Sequence, residues 1–222
     1  MVLFFSIIGC FSAQAQVSVK SAQTMSGIYG GLEGGYVDYK ISGFAETFPP
    51  EYLARKRTNL NVKDNAAFLK GTLGFGHHWN SQLFTGLELS YTKLVSGTDI
   101  LLKDTTIEHE VGVSYSSQIA LSGIVGYEFT LKDMIYARLG YGFSNVRIAP
   151  RDTGGTGGAF HDLSGMIYGL GYARQINDKI ALRIEAQRFS VADTYDNVKN
   201  DGEIYDIKIK DTRFSGGIIV SF

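Results

Sequence analysis

The feature that most constrains this chain is a two-residue alternation of apolar and polar side chains, which recurs in eight separate runs. In the last run, every second residue is apolar or small: Phe214, Gly216, Ile218, Val220 and Phe222. The set between them is mostly small or polar: Arg213, Ser215, Gly217, Ile219 and Ser221. Because successive side chains of a strand point to opposite faces, each run predicts a β-strand with one apolar face. An apolar last strand that ends on an aromatic residue favours a barrel closed within lipid.

The connections between the runs alternate strictly between short and long. Tight turns are predicted at residues 80–81, 131–133 and 177–179, and loops at residues 40–64, 96–112, 147–161 and 191–206. The runs of about 13 to 17 residues exceed the roughly 9–11 that a tilted strand needs to cross a bilayer, so their upper ends should project into solvent. Short periplasmic turns and long extracellular loops are typical of outer-membrane barrels. We therefore predict an all-β fold, an eight-stranded antiparallel up-and-down transmembrane β-barrel, over residues 27–222.

The charged residues support this assignment of faces. Eight of them fall on the parity opposite to the apolar side chains and are predicted to be structural lumen charges: Glu33, Lys70, Glu88, Glu128, Arg138, Arg183, Glu185 and Arg213. Four are acidic and four are basic, so they can neutralise one another, whereas a cation facing lipid at mid-depth costs about 2–4 kcal/mol. Since side chains nearly fill an eight-stranded barrel, a salt-bridged plug is favoured over a gate or proton path.

The outward parity carries the remaining cations and the aromatic residues. Lys93, Arg174 and Arg188 lie near strand ends, where long cationic side chains can reach the headgroups. Five aromatic residues suit the two interfacial girdles: Trp79, Tyr91, Phe129, Tyr141 and Phe222. A soluble barrel of the lipocalin type is the alternative, because parity alone does not distinguish the inside from the outside. The aromatic and glycine residues on the apolar face and the aromatic C-terminus favour the membrane barrel.

The first residues favour export. An apolar stretch at residues 2–11 is followed by Ser12-Ala13-Gln14-Ala15, which predicts a signal peptide over residues 1–15 and a linker over residues 16–26, although no Lys or Arg follows Met1. The alternative is a lipoprotein signal with acylation at Cys10. Because Cys10 is the single cysteine, cleavage after Ala15 would leave no thiol or disulfide chemistry. The formal net charge of −1 argues against a nucleic-acid partner.

Three segments, Gly27-Ile28-Tyr29-Gly30-Gly31, Gly169-Leu170-Gly171-Tyr172 and the last strand, resemble the small outer-membrane β-barrel family. That family includes opacity-type surface proteins and the membrane domain of OmpA-like proteins. The resemblance implies assembly by the outer-membrane insertion machinery and surface exposure of the loops. It does not extend to the peptidoglycan-binding domain of full-length OmpA-like proteins. The expected partners are outer-membrane lipid and lipopolysaccharide, the assembly machinery and host surface components, and we expect a monomer.

The leading functional hypothesis is a non-enzymatic surface protein with a structural, adhesive or antigenic role through four extracellular loops. The alternatives are a narrow porin-like passive channel and a lipid A-modifying enzyme. Residues of the acyl-transfer type cluster only at His161, Asp162 and Ser164, without a recognisable triad. No catalytic, cofactor-binding or metal site is predicted.

Three further clusters are read as ordinary surface features. His77 and His78 should face opposite sides of their strand, and Asp193, Asp196 and Asp201 lack a calcium-loop spacing. The basic residues Arg55, Lys56 and Arg57 could bind lipopolysaccharide phosphates or a host polyanion, although a solvated loop is the default.

Overall fold

The structure is a computed structural model that describes residues 25–47, 56–79, 82–103, 110–150, 159–197 and 203–222. Eight strands account for almost all of these residues. They are β1 (Gly27–Thr47), β2 (Lys56–His78), β3 (Leu83–Lys103), β4 (Glu110–Glu128), β5 (Asp133–Pro150), β6 (Ala159–Gln175), β7 (Ile180–Asn197) and β8 (Glu203–Ser221). The described ranges contain no helix long and apolar enough to cross a bilayer.

The strands close into one antiparallel barrel in which each strand pairs with its neighbours in sequence. The barrel closes where β8 pairs with β1, with Tyr36 opposite Phe214 and Leu32 opposite Ile218. This confirms the predicted fold class and the predicted pairing of the last strand with the first. Because the sheet is closed, it has no free edge in the bilayer, where an unpaired backbone group would be costly.

The two faces of the barrel differ as the alternation predicts. Large apolar side chains cover the outer wall, with Leu32 77% exposed and Leu170 69% exposed. The inward parity is buried and carries both polar and apolar side chains, such as Glu88 and Phe84, each 0% exposed. Lipid can solvate the outer wall, whereas the charged residues of the inner wall need partners within the barrel.

The predicted loop boundaries are wrong, because the strands continue well beyond the apolar runs. β1 extends to Thr47 and β2 begins at Lys56, so most of residues 40–64 belongs to a β-ladder in which Lys40 lies opposite Lys63. The other three predicted loops are shortened in the same way, and the strands are 17 to 23 residues long. Above the bilayer both faces of a strand meet water, so backbone pairing continues without an apolar alternation to mark it.

The ends of the barrel are named here by their connections. The turn end carries the tight turns at residues 129–132 and 176–179, and the loop end lies opposite. In the second turn, the Asn177 side-chain oxygen accepts hydrogen bonds from the backbone N–H groups of Lys179 and Ile180, both at 2.9 Å. An Asn that bonds to the backbone two or three residues ahead is a common way to fix a tight turn.

Several predictions fall outside the described residues. These are the signal peptide at residues 1–15 with Cys10, the linker up to residue 24, the turn at residues 80–81, and the positions of Arg55 and Asp201. They stay predictions.

Candidate functional site

The most distinctive feature of the lumen is a closed ring of alternating charges. Six of the eight predicted lumen residues form it, in the order Lys70, Glu33, Arg183, Glu88, Arg138 and Glu185, and then back to Lys70. Every member is buried, and every contact in the cycle joins an acidic group to a basic one. The three carboxylates and three cations therefore give the ring a formal net charge of zero.

Two of the three cations, Lys70 and Arg183, pair with Glu33, the member of the ring that lies on β1. The Lys70 ammonium on β2 lies 3.0 Å from a Glu33 carboxylate oxygen and 3.0 Å from one of Glu185. The Arg183 guanidinium on β7 pairs with Glu33 and lies 2.5 Å from a Glu88 oxygen. These contacts join β1, β2, β3 and β7 across the lumen, between residues up to 150 positions apart in sequence.

Arg138 on β5 completes the ring. Its guanidinium pairs with Glu88, and its Nε donates to Glu185 at 3.0 Å. Two tyrosine hydroxyls satisfy further lone pairs of the same carboxylates, because Tyr29 donates to Glu88 at 2.9 Å and Tyr136 donates to Glu185 at 2.6 Å. Such dense pairing is required because a buried charge without partners is costly.

Glycines on neighbouring strands make room for these two tyrosines. A Cβ atom at Gly171 would lie 2.1 Å from the Tyr136 ring, and one at Gly74 would lie 2.4 Å from the Tyr29 ring. Both rings therefore lie flat against bare backbone and direct their hydroxyls into the ring of charges. A side chain at either glycine would displace the tyrosine and its hydrogen bond.

Buried layers flank the ring on both sides: the layer towards the turn end is apolar, and the layer towards the loop end mixes apolar residues with polar and charged ones such as Gln118, Asp211 and Arg213. Towards the turn end lies a buried cluster of Met25, Tyr29, Phe84, Ile124, Met134, Tyr136, Ala173, Ala181 and Ile219. Towards the loop end, buried inward residues include Val37, Phe68, Ile167 and Phe189. The ring is thus enclosed between buried layers of side chains, and the low local dielectric strengthens its electrostatic contacts and raises the cost of breaking one.

The remaining two predicted lumen residues lie outside the ring. Glu128, at the turn end, has a carboxylate oxygen 3.0 Å from His78 Nε2. Arg213, towards the loop end, donates to Asp211 at 2.5 Å and to the side-chain oxygen of Gln118. All eight lumen charges are therefore buried inside the barrel, but the structure brings only six together.

Sequence reasoning missed several partners of these groups. Asp211 lies two residues from Arg213 on the same strand, so the alternation alone would have placed both side chains on the inward face. The roles of Tyr29 and Tyr136 carried no such signal, because both read as ordinary aromatic residues of a strand. His77 and His78 face opposite sides of β2, as predicted, but the pairing of His78 with Glu128 inside the barrel was not predicted; the exposed His77 packs edge-on against Trp79 at 5.1 Å.

The structure adds little support for His161, Asp162 and Ser164 as acyl-transfer residues. Ser164 lies on β6, and its hydroxyl is 2.9 Å from that of Tyr141 on the outer wall. The side chains of His161 and Asp162 lie outside the described set, as do those of Lys56, Arg57, Asp193 and Asp196. Within the described residues, no group of three or more His, Cys, Asp or Glu could hold a metal ion.

The outward cations lie where the alternation places them. Lys93, Arg174 and Arg188 are all exposed on the outer wall. Arg174 faces Asp133 at the turn end, with 3.7 Å between a guanidinium nitrogen and a carboxylate oxygen. Its side chain is 58% exposed, so this contact contributes little to stability.

Known structures share the architecture at low sequence identity. The outer membrane protein OprG from Pseudomonas aeruginosa is 11% identical, with a TM-score of 0.56, over 90% of this chain and 98% of that one. Neisserial surface protein A is 14% identical, with a TM-score of 0.48, over 89% and 98%. Ail from Yersinia pestis is 10% identical, with a TM-score of 0.44, over 88% and 99%. At these identities the likeness shows the fold alone.

The curated proteins contain no match to this sequence. A family model, described as the outer membrane protein beta-barrel domain, matches residues 3–212. That match spans nearly all of the chain, including β1 to β7 and the first half of β8. The chain belongs to the outer membrane protein β-barrel family, and its location is the cell outer membrane.

Proposed function

We propose that this protein is a closed, non-enzymatic surface barrel that acts through the hairpins at its loop end. The observation that carries the proposal is the six-membered ring of charges across the lumen, with a buried layer of side chains on each side. A barrel whose interior is filled in this way serves as a rigid support. Its specificity then lies in what the support displays, which is a structural or adhesive role.

The shape of the barrel supports display. Loop-end hairpins of outer-membrane barrels face the cell exterior, and here the first of them is a long two-stranded ladder that reaches Thr47 and Lys56. A hairpin paired to that length presents its tip well above the bilayer at little entropic cost, because the barrel has already ordered its base. Rigid supports that carry variable tips are a common way to bind partners.

To test this role, each loop-end hairpin tip is replaced, one at a time, by a short Gly-containing turn. Whole-cell binding to a panel of host and envelope components is then measured. Intact cells should bind at least one component, and one tip replacement should remove that binding while the barrel still shows heat-modified gel mobility. A tip replacement at the turn end, at residues 129–132, is the matched control. Binding that survives every loop-end replacement would contradict a role carried by the hairpins.

A further inference from the structure

A row of cations crosses the outer wall of the barrel near its loop end. Lys40 on β1 lies directly opposite Lys63 on β2, and on the other side directly opposite Lys210 on β8. Arg188 on β7 belongs to the same wall, because its strand partner is Thr212, two residues below Lys210. All four cations are exposed, and they are called the basic wall below.

This arrangement is unfavourable for the protein alone. Directly opposite side chains in an antiparallel pair have Cβ atoms about 4.5–5.5 Å apart, and like charges in such pairs are destabilising. The basic wall contains two such pairs in succession, Lys63 with Lys40 and Lys40 with Lys210. Within the described part of the chain, none of the four cations forms an ion pair. A row of like charges of this kind indicates an anion that binds between them.

The basic wall borders a shallow depression of about 380 Å³. Its lining is Asp38, Tyr39, Lys40, Lys63, Asp64, Asn65, Arg188, Lys210 and Thr212. The two carboxylates offset half of the four positive charges, so the depression keeps a net positive charge. Asn65 and Thr212 add uncharged hydrogen-bonding groups beside the cations.

The position of the basic wall relative to the bilayer indicates where a bound anion would come from. Tyr36 and Phe214, which are exposed apolar residues of the lipid-facing wall, lie four residues below Lys40 and Lys210 on the same strands and the same face. Four residues span about 13 Å along a strand, so the cations lie just above the apolar belt, at headgroup level. Neighbouring strands are about 4.8 Å apart, so the row from Lys63 to Lys210 is roughly 10 Å wide. That width suits a headgroup with more than one phosphate.

We propose that the basic wall binds the phosphate groups of a phosphorylated outer-leaflet lipid. The three lysines provide point charges, and Arg188 provides a planar fork of donors that suits phosphate oxygens. Bound phosphate would lie between the opposed lysines and replace their repulsion by attraction. This binding site is separate from the hairpin tips and does not depend on what the tips bind.

The test compares the purified, folded protein with the variant K40Q/K210Q, using detergent-dispersed lipid A that carries both phosphates. Each lysine near an anionic surface contributes roughly a factor of five in affinity, so the double variant should bind on the order of 30-fold more weakly. The control K132Q/K179Q also removes two exposed cations, both in turns at the opposite end of the barrel, and should bind like the unmodified protein. Dephosphorylated lipid A should bind weakly to all three proteins.

Three results would overturn the proposal. They are an equal loss in the control, equal affinity for dephosphorylated lipid A, or an unchanged lipid affinity in K40Q/K210Q. Heparin tests a soluble polyanion as the alternative occupant, and a variant that loses heparin binding but keeps lipid A binding would also contradict the proposal. Heat-modified gel mobility establishes folding, and if K40Q/K210Q does not fold, the single variant K63Q should still weaken lipid A binding about fivefold.

Discussion

At the scale of single residues, the lumen depends on the pairing of each buried charge with an opposite one rather than on the number of charges. Arg138 and Arg183 are 3% and 1% exposed, and each contacts two carboxylates. Replacing a whole buried ion-pair network by apolar side chains is often neutral, whereas removing one partner typically costs about 3–5 kcal/mol. The ring should therefore tolerate no single loss.

Arg138→Leu is the direct test of that expectation. The change leaves Glu88 and Glu185 each short of one cation, so the free energy of unfolding should fall by about 3–5 kcal/mol. The temperature at which the folded barrel loses its heat-modified gel mobility should fall with it. Arg174→Leu removes an arginine from an exposed pair and should change stability by less than about 1 kcal/mol. Equal stability of the two variants would contradict a stabilising role of Arg138 in the ring.

The glycines beneath the tyrosines give a second residue-scale prediction. Gly171→Ala places a methyl group against the Tyr136 ring, which should move the hydroxyl away from Glu185 and cost roughly 1–3 kcal/mol. Gly123→Ala is the matched control, because its new Cβ would meet only the Leu139 carbonyl oxygen, at 3.9 Å. Urea-induced unfolding in lipid vesicles measures both. A Gly171→Ala protein as stable as Gly123→Ala would mean that Tyr136 does not need that space.

At the scale of the strand, the alternation determined more of the structure than any single motif. Each strand repeats one choice of face, so the apolar runs correctly predicted the number of strands, their antiparallel order and the closing pair of β1 with β8. The upper strand ends could not be predicted in this way. In segments such as residues 56–64, polar residues fall on both parities of the strand, so no apolar alternation marks the continued backbone pairing in the sequence.

The same parity explains which parts of the candidate site were predictable. It separated the eight inward charges from Lys93, Arg174 and Arg188 on the outer wall. It could not give the cyclic order of the ring, because that order depends on barrel shear and on contacts between strands as distant as β2 and β7. The alternation could have placed Asp211 beside Arg213, whereas the pairing of His78 with Glu128 became evident only in three dimensions.

A charge on the outer wall tests whether that wall faces lipid. Leu139→Arg, near the middle of β5, should lower the free energy of unfolding in vesicles by about 2–4 kcal/mol, because the guanidinium would face hydrocarbon. Val95→Arg is the control: it is also exposed, but it lies near the loop end, where the cost should be about 0–1 kcal/mol. Equal costs at the two positions would contradict a bilayer centred on Leu139.

At the scale of the whole molecule, three layers fill the barrel from the turn end towards the loop end. An apolar cluster comes first, the ring of charges second, and a mixed layer containing Arg213 and Asp211 third. An eight-stranded interior is just wide enough for side chains to fill, and here large buried side chains occupy it. The filled interior therefore fits the proposed role of the barrel as a rigid support.

Planar-bilayer recording of the purified, folded protein tests this central claim most directly. A lumen closed by the ring and the buried layers on both sides of it should give no steady conductance above the bare bilayer at any moderate voltage. A porin of known conductance, added to the same chamber, shows that insertion and detection work. Reproducible, steady single-channel steps from the unmodified protein would contradict the closed lumen and make the barrel a channel.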